Sequence, residues 1–228
     1  MSMLELTNII KEYRKGERTV EALSGVTLSI DKGDFLSVVG PSGSGKSTLL
    51  NILGCLDTPT RGSVVYNGKE LGQMTEIELS RYRRDNIAFI FQSYNLIPVL
   101  NVKENVELPL VIEKRFTRQQ IADKAMKIIE AVGLSSMADR LPKELSGGQE
   151  QRVAIARALV KEPLVIFADE PTANLDSHTA EEIISIMQDM NVKNQTTFIF
   201  STHDRMVEQH AKRVITLKDG NILKDDRR

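Results

Sequence analysis

The sequence predicts an α/β fold with a mixed, mainly parallel core sheet, an antiparallel β subdomain and an inserted α-helical subdomain. Three observations lead to this prediction. A strand-like run at residues 34–39 passes through a glycine-rich loop into a helical run. The last third of the chain alternates strand-like and helical segments, which is typical of parallel strands joined by right-handed crossovers. A helical pattern from residue 93 to about residue 140 interrupts the core strands.

The composition fits one globular domain of 228 residues, with 41% hydrophobic and 27% charged residues. The net charge of −1 provides no general attraction to nucleic acid, which is therefore not expected as a partner. The single cysteine, Cys55, excludes an internal disulfide, and its apolar neighbours indicate a buried structural thiol. We see no signal-peptide pattern and no apolar run near the roughly 18 residues that cross a bilayer, so we expect any membrane role to depend on a partner.

Short apolar alternations near the N-terminus predict the antiparallel layer. Residues 3–7, 22–30 and 62–68 each have the pattern of a strand. The charged stretch Lys11–Arg18 lies between the first two strands, and we expect it to form a turn. Its one aromatic residue, Tyr13, has the pattern of a half-buried surface ring when the residues are considered alone.

The stretch Gly40–Thr48 matches the phosphate-binding pattern G-x-x-x-x-G-K-[ST] between a strand and a helix, the context that this motif requires. Gly43 and Gly45 allow backbone angles at which successive N–H groups curl around phosphate oxygens. Lys46 supplies a charge for the β- and γ-phosphates, Ser47 offers a hydroxyl to Mg²⁺, and the helix directs its positive end toward the anion. A chance Gly/Ser-rich turn is the alternative, and the context favours a P-loop NTPase. The predicted nucleotide-binding residues here are Gly40, Ser42, Gly43, Ser44, Gly45, Lys46, Ser47 and Thr48.

The middle of the chain is predicted to be helical around one buried strand. Thr75–Glu78 and Thr117–Gln120 have the spacing of capping boxes and each opens a helix. Between these helices, an apolar strand at residues 86–91 ends at Gln92. The single domain 1–228 is therefore expected to consist of a catalytic core with its β layer and a helical insertion. The expected ranges are 1–92 and 156–228 for the core and about 93–155 for the insertion.

The apolar strand Leu164–Glu170 ends in two carboxylates, those of Asp169 and Glu170. A buried strand would deliver Asp169 to the Mg²⁺ shell and place Glu170 near the γ-phosphate, where it can accept a proton from the attacking water. A solvated acidic turn is the alternative, and the phosphate loop upstream favours the functional interpretation. Beyond these residues, a turn is predicted at Asp219-Gly220, and the charged tail Lys224–Arg228 is expected to fray.

The segment Leu145-Ser146-Gly147-Gly148-Gln149 indicates a second anion-binding surface. Ser146 and Gln149 form a capping box for a helix predicted at residues 151–160. Two glycines at a helix start lower stability unless the backbone must approach something closely. A hydroxyl, two bare N–H groups and a helix N-terminus together suit an anion. Two phosphate-binding surfaces so far apart in one sequence suggest a nucleotide held between two chains.

Taken together, these motifs resemble those of the ATP-binding subunit of an ABC transporter over essentially the whole chain. The resemblance rests on Tyr13, Gly40–Thr48, Gln92, Leu145–Gln149 (the signature segment), Leu164–Glu170, Asn174-Leu175-Asp176 and Ser201-Thr202-His203-Asp204, in this order. It implies ATP and Mg²⁺ as cofactors and ATP hydrolysis by a sandwich dimer of two copies. It also implies an integral-membrane permease partner, which would hold the chain on the cytoplasmic, inner face of the cell membrane.

The resemblance further implies roles that the residues alone do not assign. Tyr13 would stack on adenine, and Gln92 would sense Mg²⁺ and the lytic water and couple the site to the membrane partner. His203, otherwise an ordinary strand-end histidine, would bind the γ-phosphate and fix the water. The signature segment would act on the nucleotide of the opposite chain. The implied catalytic residues are Glu170, His203 and Gln92, the metal ligands are Ser47, Gln92 and Asp169, and the dimer contacts are Asn174, Leu175 and Asp176.

Three segments, Ile52–Asp57, Phe91–Pro98 and Glu104–Leu110, are most similar to the lipoprotein-releasing and macrolide-efflux branch of this family. In that branch, the transmembrane partners pass motion to a periplasmic or extracellular domain. The branch often has two further glutamines after the first Gln of the signature, whereas here Glu150 follows Gln149. The change adds negative charge near the nucleotide and removes no required donor.

Other functions are weighed against this one. A GTPase would need an Asn-Lys-x-Asp element, which the sequence lacks, and a small-molecule kinase has no use for the signature segment. Members of the superfamily that act on DNA or ribosomes carry long coiled coils or two fused ATPase halves, which do not fit in 228 residues. An ATPase that regulates cell-wall or envelope enzymes through a membrane partner, without transport, stays open. The cargo is not encoded here because the partner selects it.

Overall fold

The structure is a computed structural model that describes residues 2–16 and 18–228. The strands are β1 (Leu4–Lys15), β2 (Arg18–Ile30), β3 (Phe35–Val39), β4 (Arg61–Tyr66), β5 (Lys69–Glu70), β6 (Ile87–Ile90), β7 (Val165–Asp169), β8 (Thr197–Ser201), β9 (Arg213–Lys218) and β10 (Asn221–Arg227). The helices are α1 (Lys46–Leu53), α2 (Glu76–Asn86), α3 (Val102–Glu113), α4 (Arg118–Ala131), α5 (Gly147–Leu159), α6 (Ser177–Asn194) and α7 (Arg205–His210).

A mixed sheet runs through the molecule in the strand order β10-β9-β3-β8-β7-β6. Its neighbouring strands are parallel except for the antiparallel pair β9 and β10, which confirms the predicted core sheet. In the register, Ser201 of β8 lies opposite Val38 of β3 on one side and Asp169 of β7 on the other. The C-terminal ends of these three strands therefore meet at one edge, where ligands bind in open α/β sheets.

An antiparallel sheet with the order β2-β1-β4-β5 forms the predicted β layer. The expected turn at Lys11–Arg18 is wrong, because β1 and β2 extend through most of it and Tyr13 pairs with Val20. Glu17 lies outside the described residues. The outer half of the hairpin is exposed, so its strands carry no buried apolar face for a sequence pattern to reveal.

Two apolar cores lie on opposite faces of the mixed sheet, because side chains alternate along each strand. Phe198 and Phe200 of β8 belong to the first core, with side chains of α3, α4, α5 and α6. Ile199 belongs to the second core, which is shared with α1 and the antiparallel sheet. Full burial of each large apolar side chain contributes about 1.5–3 kcal/mol. The sheet edge is thereby held rigidly from both sides.

The predicted capping boxes at Thr75, Thr117 and Ser146 are confirmed at the starts of α2, α4 and α5. Each side chain accepts a hydrogen bond from the backbone N–H three residues on, which satisfies a group that lacks an intrahelical partner. Because of its cap, α5 begins at Gly147, earlier than the predicted start at residue 151. A further box at Asn101 opens α3.

The C-terminal tail is the strand β10, and the expectation of a frayed end is wrong. The predicted turn is present, with left-handed φ angles of 47° at Asp219 and 76° at Gly220. Arg213 of β9 is 4% exposed. Its guanidinium donates to both carboxylate oxygens of Asp225, at 2.7 and 2.6 Å, and to Asp34 Oδ2 at 3.2 Å. A buried cation with two carboxylate partners orders the charged tail.

The helical block contains α3, α4 and most of α5, and these helices share the first core with the mixed sheet. The division of the chain into a core and a separate insertion at residues 93–155 stays a prediction. None of the helices formed by residues 2–16 and 18–228 has the length and apolar character needed to cross a membrane.

Candidate active site

The phosphate loop joins β3 to α1 at the edge where three strands end. Gly43 and Gly45 have left-handed φ angles of 80° and 102°. A Cβ at Gly45 would lie 2.5 Å from the carbonyl oxygen of Ala22, so only glycine allows this close passage. At Gly43 the surrounding space is open, and the backbone angle alone explains the glycine. The loop therefore has the conformation that the motif predicts.

The start of α1 is left available to an anion. No side chain caps this helix, whose N-cap is the left-handed Gly45. The first-turn N–H groups of any α-helix lack intrahelical partners, and here no side chain replaces those partners. These groups also carry the positive end of the helix dipole. Lys46 Nζ donates to the carbonyl oxygens of Gly40 and Pro41, at 2.8 and 3.0 Å. The ammonium group thus already lies over the loop, where phosphate oxygens could replace these two carbonyls.

A cleft of about 660 Å³ lies against this loop. Its lining residues are Ala22, Gly40, Pro41, Ser42, Gly43, Gly45, Lys46, Ser47, Thr48, Gln92, Asp169, Glu170, Ser201 and His203. The structure thus brings together the phosphate loop, both carboxylates, Gln92 and His203, which are far apart in the sequence. Ser44, a predicted nucleotide-binding residue of the loop, is 2% exposed and is not among the lining residues, and its hydroxyl has no hydrogen-bond partner within residues 2–16 and 18–228.

Glu170 is held in the cleft by the end of the neighbouring strand. It follows β7 with a left-handed φ of 46°, and its N–H donates to the carbonyl oxygen of Ser201 at 2.9 Å. Thr202 Oγ1 donates to Glu170 Oε2 at 3.0 Å, and His203 Nδ1 lies 2.6 Å from Glu170 Oε1. Such backbone strain costs of order 1–3 kcal/mol and is typical of functional sites. With Nδ1 engaged, the exposed His203 ring has Nε2 available for a phosphate or water.

Three oxygen donors in the cleft suit Mg²⁺. Ser47 lies in the first turn of α1, Gln92 follows β6, and Asp169 is the last residue of β7. Mg²⁺ prefers hard oxygen ligands and is usually bound by one or two carboxylates together with substrate phosphates. Within the part of the chain that the structure describes, no cluster of three His, Cys, Asp or Glu residues could hold a metal alone. One hydroxyl, one amide and one carboxylate fit an ion that nucleotide phosphates also bind.

Tyr13 lies on β1 beside the cleft and is not among its lining residues. Its ring is 40% exposed, and its hydroxyl donates to Asp57 Oδ2 at 2.8 Å. Thr48, which lines the cleft, lies close to this hydroxyl. Partial burial and the bond to Asp57 raise the pKa of Tyr13. The ring is therefore fixed at the border of the cleft, on the side of α1.

The signature segment lies at the start of α5 and outside the cleft. Gln149 N–H donates to Ser146 Oγ at 3.4 Å, and Ser146 N–H donates to Gln149 Oε1 at 3.0 Å. A Cβ at Gly148 would lie 2.4 Å from Thr179 Cγ2 of α6. A Cβ at Gly147 would lie 3.1 Å from the hydroxyl of Tyr94. The close approach expected at these glycines is thus, in part, packing within the chain itself.

Glu150 follows the signature segment in the first turn of α5. Burial raises the pKa of this carboxyl. Burial and the charge of Glu150 in turn raise the pKa of Tyr94, the residue whose hydroxyl faces Gly147. The Glu150 carboxyl therefore lies near Tyr94, in the loop that follows Gln92.

The segment Asn174–Asp176 connects the cleft to the start of α5. Asn174 Nδ2 donates to the carbonyl oxygen of Gln92 at 3.0 Å, and Leu175 packs against the first core. Asp176 caps α6, with Oδ1 and Oδ2 accepting from the backbone N–H and the hydroxyl of Thr179, at 3.0 and 2.7 Å. These two hydrogen bonds lower the pKa of Asp176. The same Thr179 packs against Gly148, so the two segments share a contact.

Arg157 of α5 is a site residue that the sequence analysis did not identify. Its guanidinium donates to the carbonyl oxygens of Tyr94 and Asn95, at 2.7 and 2.6 Å. Both of these residues have left-handed φ angles, 57° and 50°, so the arginine holds a strained turn just after Gln92. The available signal was a lone charged residue in the apolar run 153–160.

The fold and cleft define the class of protein, a P-loop nucleoside triphosphatase. A family model described as "ABC transporter" matches residues 23–173, well over half of the chain. The "Macrolide export ATP-binding/permease protein MacB" of Bdellovibrio bacteriovorus is 46% identical over 226 residues, which cover 99% of this chain and 34% of that protein. The "Uncharacterized ABC transporter ATP-binding protein MJ0796" of Methanocaldococcus jannaschii is 44% identical over 228 residues, with 99% and 97% covered.

The solved dimeric structure of the ATP-binding cassette MJ0796 bound to ADP and Pi has a TM-score of 0.90 and 43% identity, and the match covers 99% of this chain and 98% of that one. The chain therefore belongs to the ABC transporter family, as an ATP-binding cassette that hydrolyses ATP. It spans about a third of the length of the MacB relatives that it matches, and nearly all of MJ0796.

Proposed function

We propose that two copies of this chain bind ATP between them and use its hydrolysis to drive an integral-membrane permease partner. The observation that carries this proposal is a separation within one chain. The phosphate loop and Glu170 line the cleft, whereas the signature segment lies outside it. The start of α5 is suited to an anion, and it would contact one if it completed the nucleotide site of a second copy. The similarity to MJ0796, solved as a dimer bound to ADP and Pi, supports this arrangement.

Within one copy, the phosphates would lie on the loop N–H groups and Lys46, and adenine would stack on Tyr13. Glu170 would accept a proton from the attacking water, and His203 would hold the γ-phosphate and orient this water. We further propose that Ser47, Gln92 and Asp169 hold Mg²⁺, which would neutralise charge on the phosphates. The arrangement of these groups in one cleft supports the assignment.

The second copy would supply the hydroxyl of Ser146 and the N–H groups of Gly147 and Gly148 to the γ-phosphate. Asn174, Leu175 and Asp176 would contact the opposite chain near this site. The hydrogen bond from Asn174 to Gln92 supports a link between that contact and the cleft, because a displaced Asn174 would release the carbonyl oxygen of Gln92.

A groove beside the Gln92 loop suits the permease partner. It has a volume of about 440 Å³ and includes Ile112, which is 56% exposed, and Leu56, which is 47% exposed. Arg157 lines this groove and also holds the turn after Gln92. Desolvation lowers the pKa of Lys161, which also lines the groove, to about 8. A permease segment bound here would be connected to the cleft through one side chain and would hold the chain at the inner, cytoplasmic face of the membrane.

The shared site is tested by mixing two inactive variants. Lys46→Ala removes the phosphate charge, and Ser146→Arg blocks the signature segment with a bulky side chain. Homodimers of either variant have two faulty sites, whereas a mixed dimer has both faults in one site and leaves the other intact. With Glu170→Gln in both chains to prevent turnover, we expect ATP-dependent dimers, measured by size-exclusion chromatography with light scattering, only in the mixture. No rescue at any ratio, with both variants folded, would contradict the shared site.

The membrane partner is tested separately. A tagged chain purified in detergent from its native membranes should retain an integral-membrane protein. Retention of no such protein from membranes in which the chain is expressed at its natural level would argue against the permease.

A further inference from the structure

An ion pair beside Tyr13 is used neither by the phosphate loop nor by the carboxylates of the cleft. Lys11 Nζ lies 2.6 Å from Asp57 Oδ1, and the hydroxyl of Tyr13 donates to the other carboxylate oxygen at 2.8 Å. The Lys11 side chain is 11% exposed and that of Asp57 is 27% exposed. Lys11 Nζ also lies 5.0 Å from the centroid of the Tyr13 ring, within the range of a cation–π interaction.

Asp57 is itself fixed by the end of α1. The N–H groups of Leu56 and Asp57 both donate to the carbonyl oxygen of Asn51, at 2.8 and 3.2 Å, and Cys55 has a left-handed φ of 56°. The helix thus carries the phosphate loop at its start and the partner of Tyr13 just beyond its end.

The loop after Asp57 is also attached to β1, the strand that carries Tyr13. Thr60 N–H donates to the carbonyl oxygen of Ile10 at 2.8 Å, and Glu12 N–H donates to Thr60 Oγ1 at 3.0 Å. Lys11 Nζ adds a bond to the carbonyl oxygen of Thr58 at 2.8 Å. Burial of Asp57 opposes ionisation, but the bonds from Lys11 and Tyr13 outweigh it and lower the pKa of this carboxyl. Asp57 is therefore a charged acceptor at neutral pH.

We propose that the Lys11–Asp57 pair is a positioning device that fixes the Tyr13 ring, through its hydroxyl, in the orientation that receives the base of the nucleotide. The inference rests on the proposed stacking of adenine on Tyr13. A ring with its side-chain torsions already fixed loses little rotamer entropy when a base stacks on it. Since Lys11 lies against one face of the ring, the base stacks on the other face. Affinity gained in this way depends on the base and not on the phosphates.

Tyr13→Phe and Asp57→Ala test this inference, because each removes one end of the hydrogen bond. The rotamer entropy that a ring fixed in advance no longer loses on binding corresponds to about a twofold to tenfold change in affinity. We expect each variant to weaken ADP binding, measured by titration calorimetry, by about that factor. The double variant should be no weaker than Asp57→Ala alone. Binding of pyrophosphate, which has no base, should not change in any of them.

Tyr82→Phe is the matched control. It removes a buried hydroxyl that has no hydrogen-bond partner among the described residues and belongs to a residue outside the cleft lining, so ADP binding should stay at the wild-type value. Tyr13→Phe leaves the ion pair intact, and it carries the test alone if Asp57→Ala does not fold.

Three outcomes would overturn the inference. Wild-type ADP affinity in Tyr13→Phe, while Tyr13→Ala binds weakly, would show that the ring acts without its hydroxyl and would leave the stacking proposal standing. Equal loss of ADP and pyrophosphate affinity in Asp57→Ala would assign the ion pair to the phosphate loop. Wild-type ADP affinity in Tyr13→Ala would overturn the stacking proposal and, with it, the role of the pair.

Discussion

The starts of α1 and α5 are both suited to an anion, yet the two differ in what satisfies their backbone groups. The first turn of α1 follows a left-handed glycine and has no side-chain cap, so its N–H groups can donate to a ligand. The first turn of α5 has a complete capping box from Ser146 and Gln149. The α1 site therefore depends on phosphate to satisfy it, whereas the α5 site is stable alone.

The capping box still leaves groups at α5 for a ligand. Ser146 Oγ uses a lone pair to accept from Gln149, so its own O–H proton can still be donated. The N–H groups of Gly147 and Gly148 precede the first capped N–H of the helix. The start of α1 would thus be suited to hold a nucleotide, and the start of α5 could approach and leave one without loss of helix structure.

The largest effect is expected at the first site. Glu170→Gln keeps the shape of the side chain but removes the carboxylate that can accept a proton from water. We expect phosphate release to fall by at least about 100-fold, while ATP binding stays and an ATP-bound dimer accumulates. Glu162→Gln, at an exposed carboxylate paired with Lys124, is the matched control and should hydrolyse ATP normally. Turnover within a few-fold of wild type in Glu170→Gln would rule out the proposed role.

The two regions also show how far the sequence can predict the site. The phosphate loop and the Ser146 cap were predictable because both are local, with every participating residue within one turn or loop. The bond from Tyr13 to Asp57 joins residues on different elements, and no periodicity reports such a contact. The order of the C-terminal tail depends in the same way on Arg213 of a neighbouring strand. Local chemistry was thus predictable, and contacts made only by the assembled fold were not.

A second prediction separates the two roles of Ser146. Aspartate is as good an N-cap as serine, and its charge suits a helix N-terminus, so Ser146→Asp should leave the free energy of unfolding within about 0.5 kcal/mol of wild type. The same carboxylate would repel the γ-phosphate held by the other chain. In the Glu170→Gln background, we therefore expect ATP-dependent dimerisation to be lost, as measured by light scattering.

Ser146→Ala provides the contrast. Loss of the cap should lower the free energy of unfolding by about 1 kcal/mol, while no new charge faces the phosphate. Dimerisation should then be weakened less than in Ser146→Asp. If Ser146→Asp formed ATP-dependent dimers as readily as wild type, the hydroxyl would be only a helix cap.

The smallest expected effect concerns Gly148. Gly148→Ala would place a methyl group 2.4 Å from Thr179 Cγ2, and overpacking of this kind costs about 1–3 kcal/mol, partly offset by the higher helix propensity of alanine. Thr179→Ser removes that methyl group and keeps the hydroxyl that donates to Asp176. In urea denaturation, we expect Gly148→Ala to be less stable than wild type and the double variant to recover most of the difference.

The double variant then shows whether Gly148 also serves a ligand. If packing on Thr179 were its only role, the repaired protein would dimerise with ATP like wild type in the Glu170→Gln background. We expect it to remain impaired, because the methyl group would stand beside the N–H groups that the partner's γ-phosphate approaches. Gly72→Ala, at a glycine with open space around it, controls for the added methyl group and should change neither measurement. A double variant no more stable than Gly148→Ala would show that the clash with Thr179 is not what requires glycine at this position.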